Sequence, residues 1–281
     1  MIDPADPHQL EDLLRRHRIE LKHSLGQNFL VNPELRDSIA RMAGATPSDA
    51  VLEVGAGVGT LTIALAPLCR RLVAVELDRR LIPALREVLA GRENVEVAQS
   101  DILKLDTGAL FPDGGELVAG NIPYNLTGAL LRSLLDRPPR PRRLSLVVQR
   151  EVADRWTASS GSSLASVAVQ VFAQARIEMT IPASAFSPAP RVDSALVVLE
   201  VRERPAVDVD DMDSFFRLVE AAFQFRRKQL GNAMGLISRT GSSAAGSRLR
   251  DLDIDPERRP QTLSLGEWEA VYKGFGARPG R

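Results

Sequence analysis

Residues 51–62 read VLEVGAGVGTLT. A strand-like apolar run meets three glycines, Gly55, Gly57 and Gly59, and then the helical pattern LTIALAPL. Glycines let the backbone turn tightly at a strand end and approach a ligand closely where a helix begins. The spacing is G-x-G-x-G, whereas the dinucleotide fingerprint is G-x-G-x-x-G, and Glu53 stands just before the loop. An acid at that point suits a ligand carrying positive charge better than a pyrophosphate.

The same alternation extends outward. LVAVELD leads into LIPALREVLA, then come VEVAQSD, ELVAGN before ALLRSLL, LSLVVQ, and finally SALVVLEV. Short apolar strands separated by helices predict a mostly parallel sheet covered on both faces, a doubly wound α/β domain of Rossmann-like type. Glu76 closes the second strand, where its carboxylate can accept from both ribose hydroxyls; Asp101 closes the third, where it can accept from an adenine amine. Each such acid taken alone is equally a helix cap. A glycine turn, a ribose acid and an adenine acid in sheet order describe a nucleoside site.

Composition narrows the classes. The chain has 281 residues with 44% hydrophobic content, enough for one large domain and a smaller one. No apolar run approaches the roughly 20 residues that span a bilayer, and the acidic, polar start MIDPADPHQLEDLL does not read as a secretion signal, so a cytoplasmic protein without a membrane role is expected. A single cysteine, Cys69, and three histidines, His8, His17 and His23, leave almost nothing from which to build a metal site or a hydrolytic triad, and no metal is expected.

Net charge is zero, but its distribution is uneven. Basic residues gather at Arg15, Arg16, Arg18 and Lys22, in RPPRPRR (137–143), and at Arg226, Arg227 and Lys228; acids gather in DVDDMD and DLDIDPE. A neutral total can hide a basic face. Composition shifts at RERPAVDVDDMD, after which SFFRLVEAAFQF has helical spacing and Ser264 with Glu267 offers a capping box. The expected division is a catalytic domain over 1–204, with an N-terminal lid segment 1–32, and a small all-helical domain over 205–281. TGSSAAGS (240–247) and TASSGSS (157–163) read as mobile loops.

The glycine loop and its acids resemble those of class I S-adenosylmethionine-dependent methyltransferases. A nicotinamide dehydrogenase shares the loop and the ribose acid, but gives no role to NIPY in GNIPYNLTG (120–128), the stretch that follows the fourth strand. As simple punctuation, Asn and Pro there would make a turn. Facing a methyl donor, Asn121 through its side-chain oxygen and the Ile122 carbonyl can accept both hydrogens of an adenine amine and align its lone pair. Pro123 fixes the backbone that presents that carbonyl, and Tyr124 offers a stacking surface.

HSLGQNFL (23–30), EVGAGVGTL (53–61), NIPYNLT (121–127), VVQREVADR (147–155), FSPAPRVDS (186–194) and FQFRRKQLGN (223–232) together resemble the ribosomal RNA adenine dimethyltransferases, in particular the KsgA group that acts on small-subunit RNA. The resemblance runs from about Leu21 to Phe275. It implies S-adenosylmethionine contacts at Gln27, Asn28, Leu30, Gly55, Gly57, Glu76, Asp101 and Asn121, and target-base residues at Asn121, Ile122, Pro123, Tyr124 and Phe186, with the base leaving its helix to stack between Tyr124 and Phe186. Where relatives often carry Tyr-Gly, this chain has Ser162 and Ser163. The implied activity is double methylation of two adjacent adenosines near the 3′ end of small-subunit RNA, on the immature small subunit, by a monomer. Two alternatives are a large-subunit adenine methyltransferase of the macrolide-resistance type and a non-catalytic assembly or transcription factor on the same fold.

Arg142, Arg143, Arg150 and, on a helix expected to start the second domain, Arg226, Arg227 and Lys228 are the candidate phosphate contacts, although Arg150 can equally serve a structural ion pair. Replacing Arg226, Arg227 and Lys228 together by Ala is expected to weaken binding to immature small subunits and flatten its salt dependence; a filter-binding titration at several salt concentrations checks this, and an unchanged slope returns the cluster to a solvated surface.

Overall fold

The computed structural model describes residues 2–21, 27–112, 116–122, 127–135 and 139–276. The elements begin with α1 (Pro7–Arg16), β1 (Phe29–Leu30), α2 (Pro33–Ala43), β2 (Ala50–Val54), α3 (Thr62–Leu65), β3 (Arg71–Glu76), α4 (Ile82–Val88) and β4 (Val95–Gln99). There follow α5 (Thr107–Leu110), β5 (Leu117–Asn121), α6 (Thr127–Leu135), β6 (Arg143–Gln149), α7 (Arg150–Thr157), α8 (Leu164–Phe172), β7 (Ala173–Ile181), β8 (Phe186–Ser187) and β9 (Ser194–Val201). The last four helices are α9 (Met212–Gln224), α10 (Leu230–Ile237), α11 (Ser242–Asp251) and α12 (Leu265–Phe275).

The chain folds into two compact units, residues 1–154 with 174–201, and residues 155–173 with 202–281. The first holds a seven-stranded sheet in the order β4-β3-β2-β5-β6-β9-β7. Strands β4, β3, β2, β5 and β6 are parallel, and β9 is antiparallel to β6. The central strands are buried along almost their whole length, as expected of a parallel sheet covered on both faces. From β2 the chain winds outward through β3 to β4, then returns to β5 on the other side of β2. Strand order therefore reverses between β2 and β5, and the crevice outside the carboxyl ends of these strands is where such sheets bind ligands.

Gly120 makes that junction possible. A Cβ at this position would lie 2.3 Å from the Val54 carbonyl oxygen, where no substituent fits. The glycine that opens GNIPY is thus a packing requirement of the sheet as well as the approach to Asn121.

The N-terminal segment is packed on this unit. Asp6 caps α1 by accepting from the N–H groups of His8 and Gln9. Leu10 and Leu13 bury against Val58, Leu81, Ala84 and Val88. Arg16 and His17 pair with Glu87 on α4. β1 then runs antiparallel to β8, with Phe29 opposite Ser187 and Leu30 opposite Phe186.

The sheet contains one strand absent from the sequence reading. β7, AQARIEMTI, alternates apolar and polar residues without a break, and its burial follows that alternation only partly because it is the last strand of the sheet.

The second unit includes more than the C-terminal residues. Its division from the first falls at Val201, three residues before the expected boundary, and it also takes in 155–173. Helix α8, LASVAVQVF, is apolar nearly all round and must be covered on every side. Phe172 stacks on Phe216 with ring centroids 5.7 Å apart, Phe215 meets the edge of Tyr272 at 5.8 Å, and Phe223 lies 5.8 Å from Trp268. The capping box of α12 is present in both directions between Ser264 and Glu267.

One loop expectation needs correction here. Most of 240–247 lies in α11, because its small residues let that helix come close to α10: a Cβ on Gly231 would lie 3.7 Å from the Gly246 Cα. Serine, alanine and glycine therefore mark a tight helix contact rather than a loop. The 157–163 stretch lacks regular structure beyond the end of α7 but is pinned in place, with Gly161 donating to Leu263 O at 2.8 Å.

Gly120→Ala is expected to destabilise the first unit by about 1–3 kcal/mol, since either β2 and β5 separate or the backbone strains. A thermal melt lowered by several degrees supports the overpacking argument; an unchanged melt overturns it.

Candidate functional site

The site begins at the end of β2. Gly55 and Ala56 both donate to Val75 O, at 2.9 and 3.0 Å, which folds the glycine loop back over β3. Gly57 adopts φ +61, and a Cβ there would press on the Phe29 ring at 3.1 Å. Glycine at 57 thus meets two demands, a left-handed backbone and the close approach of β1. Its N–H donates to Glu76 Oε2 at 2.8 Å.

Glu76 is buried, and its second oxygen accepts from Asp78 N–H at 2.8 Å. Burial pushes its pKa up; the N–H groups of Asp78 and Gly57 oppose that shift. Asp101 ends the segment after β4, and its Oδ1 accepts from Leu103 N–H at 3.1 Å to start a short 3₁₀ turn, Ile102–Lys104. The cap reading of Asp101 is therefore realised through that oxygen, while the residue also faces the cleft.

One cleft gathers these groups. Its empty volume is about 1170 Å³ including the solvent at its mouth, and its lining includes Gln27, Asn28, Leu30, Gly55, Gly57, Glu76, Asp101 and Asn121, every residue expected to contact a cofactor. Phe186 lines it too, but only 4% of that residue is exposed, so most of the expected stacking face is covered by its own neighbours. Asn121 Nδ2 donates to Asn28 O at 2.9 Å, which commits the amide nitrogen to the N-terminal segment and turns Oδ1 into the group available to a ligand. Ile122 is buried, and its N–H donates to Val147 O at 3.1 Å. Pro123 and Tyr124 lie outside the described residues.

Several lining residues escaped the sequence reading, among them Leu77, Ile102, Thr60 and Asp78. A signal existed for two of them: an apolar residue directly follows each acid, Leu77 after Glu76 and Ile102 after Asp101. Leu77 is 57% exposed, far more than a core leucine. Asp78 is held by Arg80, whose hydrogen bonds bring its carboxyl down to about 2.

Glu53 behaves differently from the anion expected beside the loop. It is 1% exposed, its Oε2 has no protein partner, and burial, with the neighbouring Glu76 charge, pushes its carboxyl up to about 8. Without a ligand it is largely protonated at neutral pH. Thr60 Oγ1, also buried beside the cleft, has no protein partner either. Unsatisfied buried polar atoms of Glu53 and Thr60 together with the hydrogen-bonded Glu76 carboxylate in one cleft fit a polar ligand.

The candidate phosphate contacts divide. Arg143 opens β6, so it and Arg142 sit at the end of the sheet opposite the cleft, roughly 20 Å of strand away. Arg142 pairs with Asp49 at 2.7 Å, and Arg143 with Glu200 at 3.3 Å and Met42 O at 2.9 Å. Their adjacency to other arginines in the sequence said nothing of strand direction, and they are reassigned to holding the sheet. Arg150 stands at the cleft end of β6 but pairs with Asp154 and Thr180, both at 2.8 Å. Arg226, Arg227 and Lys228 occupy a turn between α9 and α10, not a helix, and are exposed. Among the described residues, no group of three or more His, Cys, Asp or Glu is placed to hold a metal ion, and no helix is long and apolar enough to cross a membrane.

Residues 18–272 match the family model described as ribosomal RNA adenine dimethylase. The chain belongs to the ribosomal RNA adenine dimethylase family. A ribosomal RNA small subunit methyltransferase A from Pelotomaculum thermopropionicum is 42% identical over 98% of both chains. Among solved structures, the 23S rRNA methyltransferase ErmE is 27% identical with a TM-score of 0.67, covering 88% of this chain and 99% of its own. A dimethyladenosine transferase from Plasmodium falciparum is 25% identical with a TM-score of 0.69, covering 87% and 96%. Within the family, the higher identity lies with the small-subunit relative.

Glu53 generates a pH prediction. Its folded pKa lies above its ordinary value of 4.5, so its contribution to stability is full below that value and is lost as pH rises through about 8. Glu53→Gln removes this loss. The ligand-free variant is expected to melt higher than wild type at pH 8.5, with a smaller difference at pH 5; calorimetric melts at both pH values check it, and equal differences reject the buried, protonated acid.

Proposed function

We propose that the cleft binds S-adenosylmethionine and delivers a flipped adenosine of small-subunit ribosomal RNA to it. The chain is an S-adenosylmethionine-dependent ribosomal RNA adenine dimethyltransferase of the small-subunit type, as its family and relatives indicate. The observation that best supports the finer reading is the Asn121 amide, anchored by its nitrogen to Asn28 O and lining the same cleft as Glu76 and Asp101.

In this reading Glu76 holds the ribose and Asp101 the adenine end, with Gly55, Gly57, Gln27, Asn28 and Leu30 closing around them. When bound, the group supplies an electrophilic methyl carbon on a sulfonium sulfur. An exocyclic adenine amine is a poor nucleophile because its lone pair is delocalised into the ring. Asn121 Oδ1 and the Ile122 carbonyl accept its two hydrogens, which localises and aims the lone pair. Bulk water takes the proton afterwards, since the alkylated nitrogen is acidic. Tyr124 supplies the stacking surface and Phe186 bounds the far wall.

The substrate is ribosomal RNA; the finer partner is the immature small subunit in the cytoplasm, met by a monomer and modified on two adjacent adenosines near the RNA 3′ end. Arg226, Arg227 and Lys228 track phosphates, and RNA shape selects the site.

Asn121→Ala is expected to lower methyl transfer by at least about a hundredfold while particle binding stays within about twofold. Nucleoside mass spectrometry of RNA from treated small subunits reads the first, and a pull-down reads the second. Turnover near wild type would reject the amine-acceptor role.

A further inference from the structure

The orientation of Glu76 depends on two backbone donors from different loops. One, Gly57 N–H, belongs to the glycine loop; the other, Asp78 N–H, belongs to the turn between β3 and α4. The Asp78 side chain closes that turn. Its Oδ1 accepts from Arg80 N–H at 3.1 Å and Arg80 Nε at 2.9 Å, while its main-chain carbonyl accepts from Leu81 N–H at 2.9 Å.

An aspartate in such a place is ordinarily an Asx turn that starts a helix and nothing more. Two further contacts exceed that role. Asp78 Oδ2 accepts from Gln27 Nε2 at 2.9 Å, and Arg80 Nη1 donates to Glu20 O at 2.9 Å. One partly buried ion pair therefore fixes the turn that holds Glu76 and also fastens the N-terminal segment at Glu20 and at Gln27. Asp78 and Gln27 both line the cleft.

We propose that Asp78 is a positioning residue for the Glu76 carboxylate: its side chain locks the turn so that its own N–H holds Glu76 Oε1, and through Gln27 it keeps the N-terminal wall in register with that acid. The inference rests on the reading of Glu76 as the ribose-binding group. Preorganisation is the physical content. A buried carboxylate that loses one of two donors no longer has a single orientation, and a ligand must restore that order on binding.

The test uses full-length protein and two ligands, S-adenosylhomocysteine and its 2′-deoxy counterpart, with affinities from titration calorimetry. Wild type is expected to bind the deoxy ligand about tenfold or more weakly, the loss of a hydrogen bond to a charged group. In Asp78→Ala the affinity for the parent ligand falls about tenfold and the discrimination shrinks to about twofold, because Glu76 is no longer held to meet the hydroxyl. Asp78→Asn keeps an acceptor for the turn and is expected to retain most of the discrimination. Should the Ala variant fail to fold, Asp78→Ser, which closes the turn more weakly, replaces it with an intermediate discrimination expected. If wild type discriminates and the Ala or Ser variant discriminates equally, Asp78 is only a helix start and the inference is overturned while the ribose reading stands. If wild type does not discriminate, the ribose reading falls and takes the inference with it. A merely structural defect lowers both affinities in parallel and leaves their ratio unchanged.

Discussion

A single buried carboxylate ties the site together. Glu76 ends the second strand of the sheet and accepts one N–H from the glycine loop and one from the turn that follows it. Burial favours its protonated form, and those donors oppose that shift. Because the donors come from separate loops, the carboxylate also sets the distance between them. The glycine loop and the β3–α4 turn meet at this carboxylate, and Asp78 and Arg80 of that turn fasten the N-terminal segment.

The second acid works by the opposite route. Glu53 sits one strand over, almost fully buried, with one oxygen unpartnered. Two carboxylates in one cleft cannot both ionise cheaply, and burial raises both; Glu76 has two backbone donors to oppose the shift, while Glu53 also feels the Glu76 charge. A ligand that brings a positive group to Glu53 would reverse its protonation. The cleft thus holds two acids in different states of hydrogen bonding, Glu76 with backbone donors and Glu53 with an unpartnered oxygen.

Much of this was legible in the sequence because each feature has a local chemical requirement. A glycine at 57 answers a positive φ, an acid at 76 answers a strand end, and apolar runs of five to seven residues answer a sheet buried on both faces. What escaped depends on partners far along the chain. Arg142 and Arg143 read as part of a basic cluster, yet strand direction carries them to the far end of β6, where Asp49 and Glu200 neutralise them. The small residues of 240–247 read as a loop, yet helix contact explains them better. β7 did announce itself, in the unbroken alternation of AQARIEMTI, but polar residues at every second position hid it from a search for apolar runs. Asp78 was invisible for another reason: an aspartate before a helix is common, and only its bond to Gln27, 51 positions earlier, sets it apart.

Gly120 shows how such a fold can mislead a genetic experiment. The atom it lacks is what allows β5 to lie against the Val54 carbonyl, one residue before the cleft-lining amide of Asn121. A library screened for methyl transfer would score position 120 as intolerant and rank it with the reactive residues, although glycine there contributes no atom to the reaction. Selection on turnover and selection on folding fall on the same site, and sequence variation alone would not separate them.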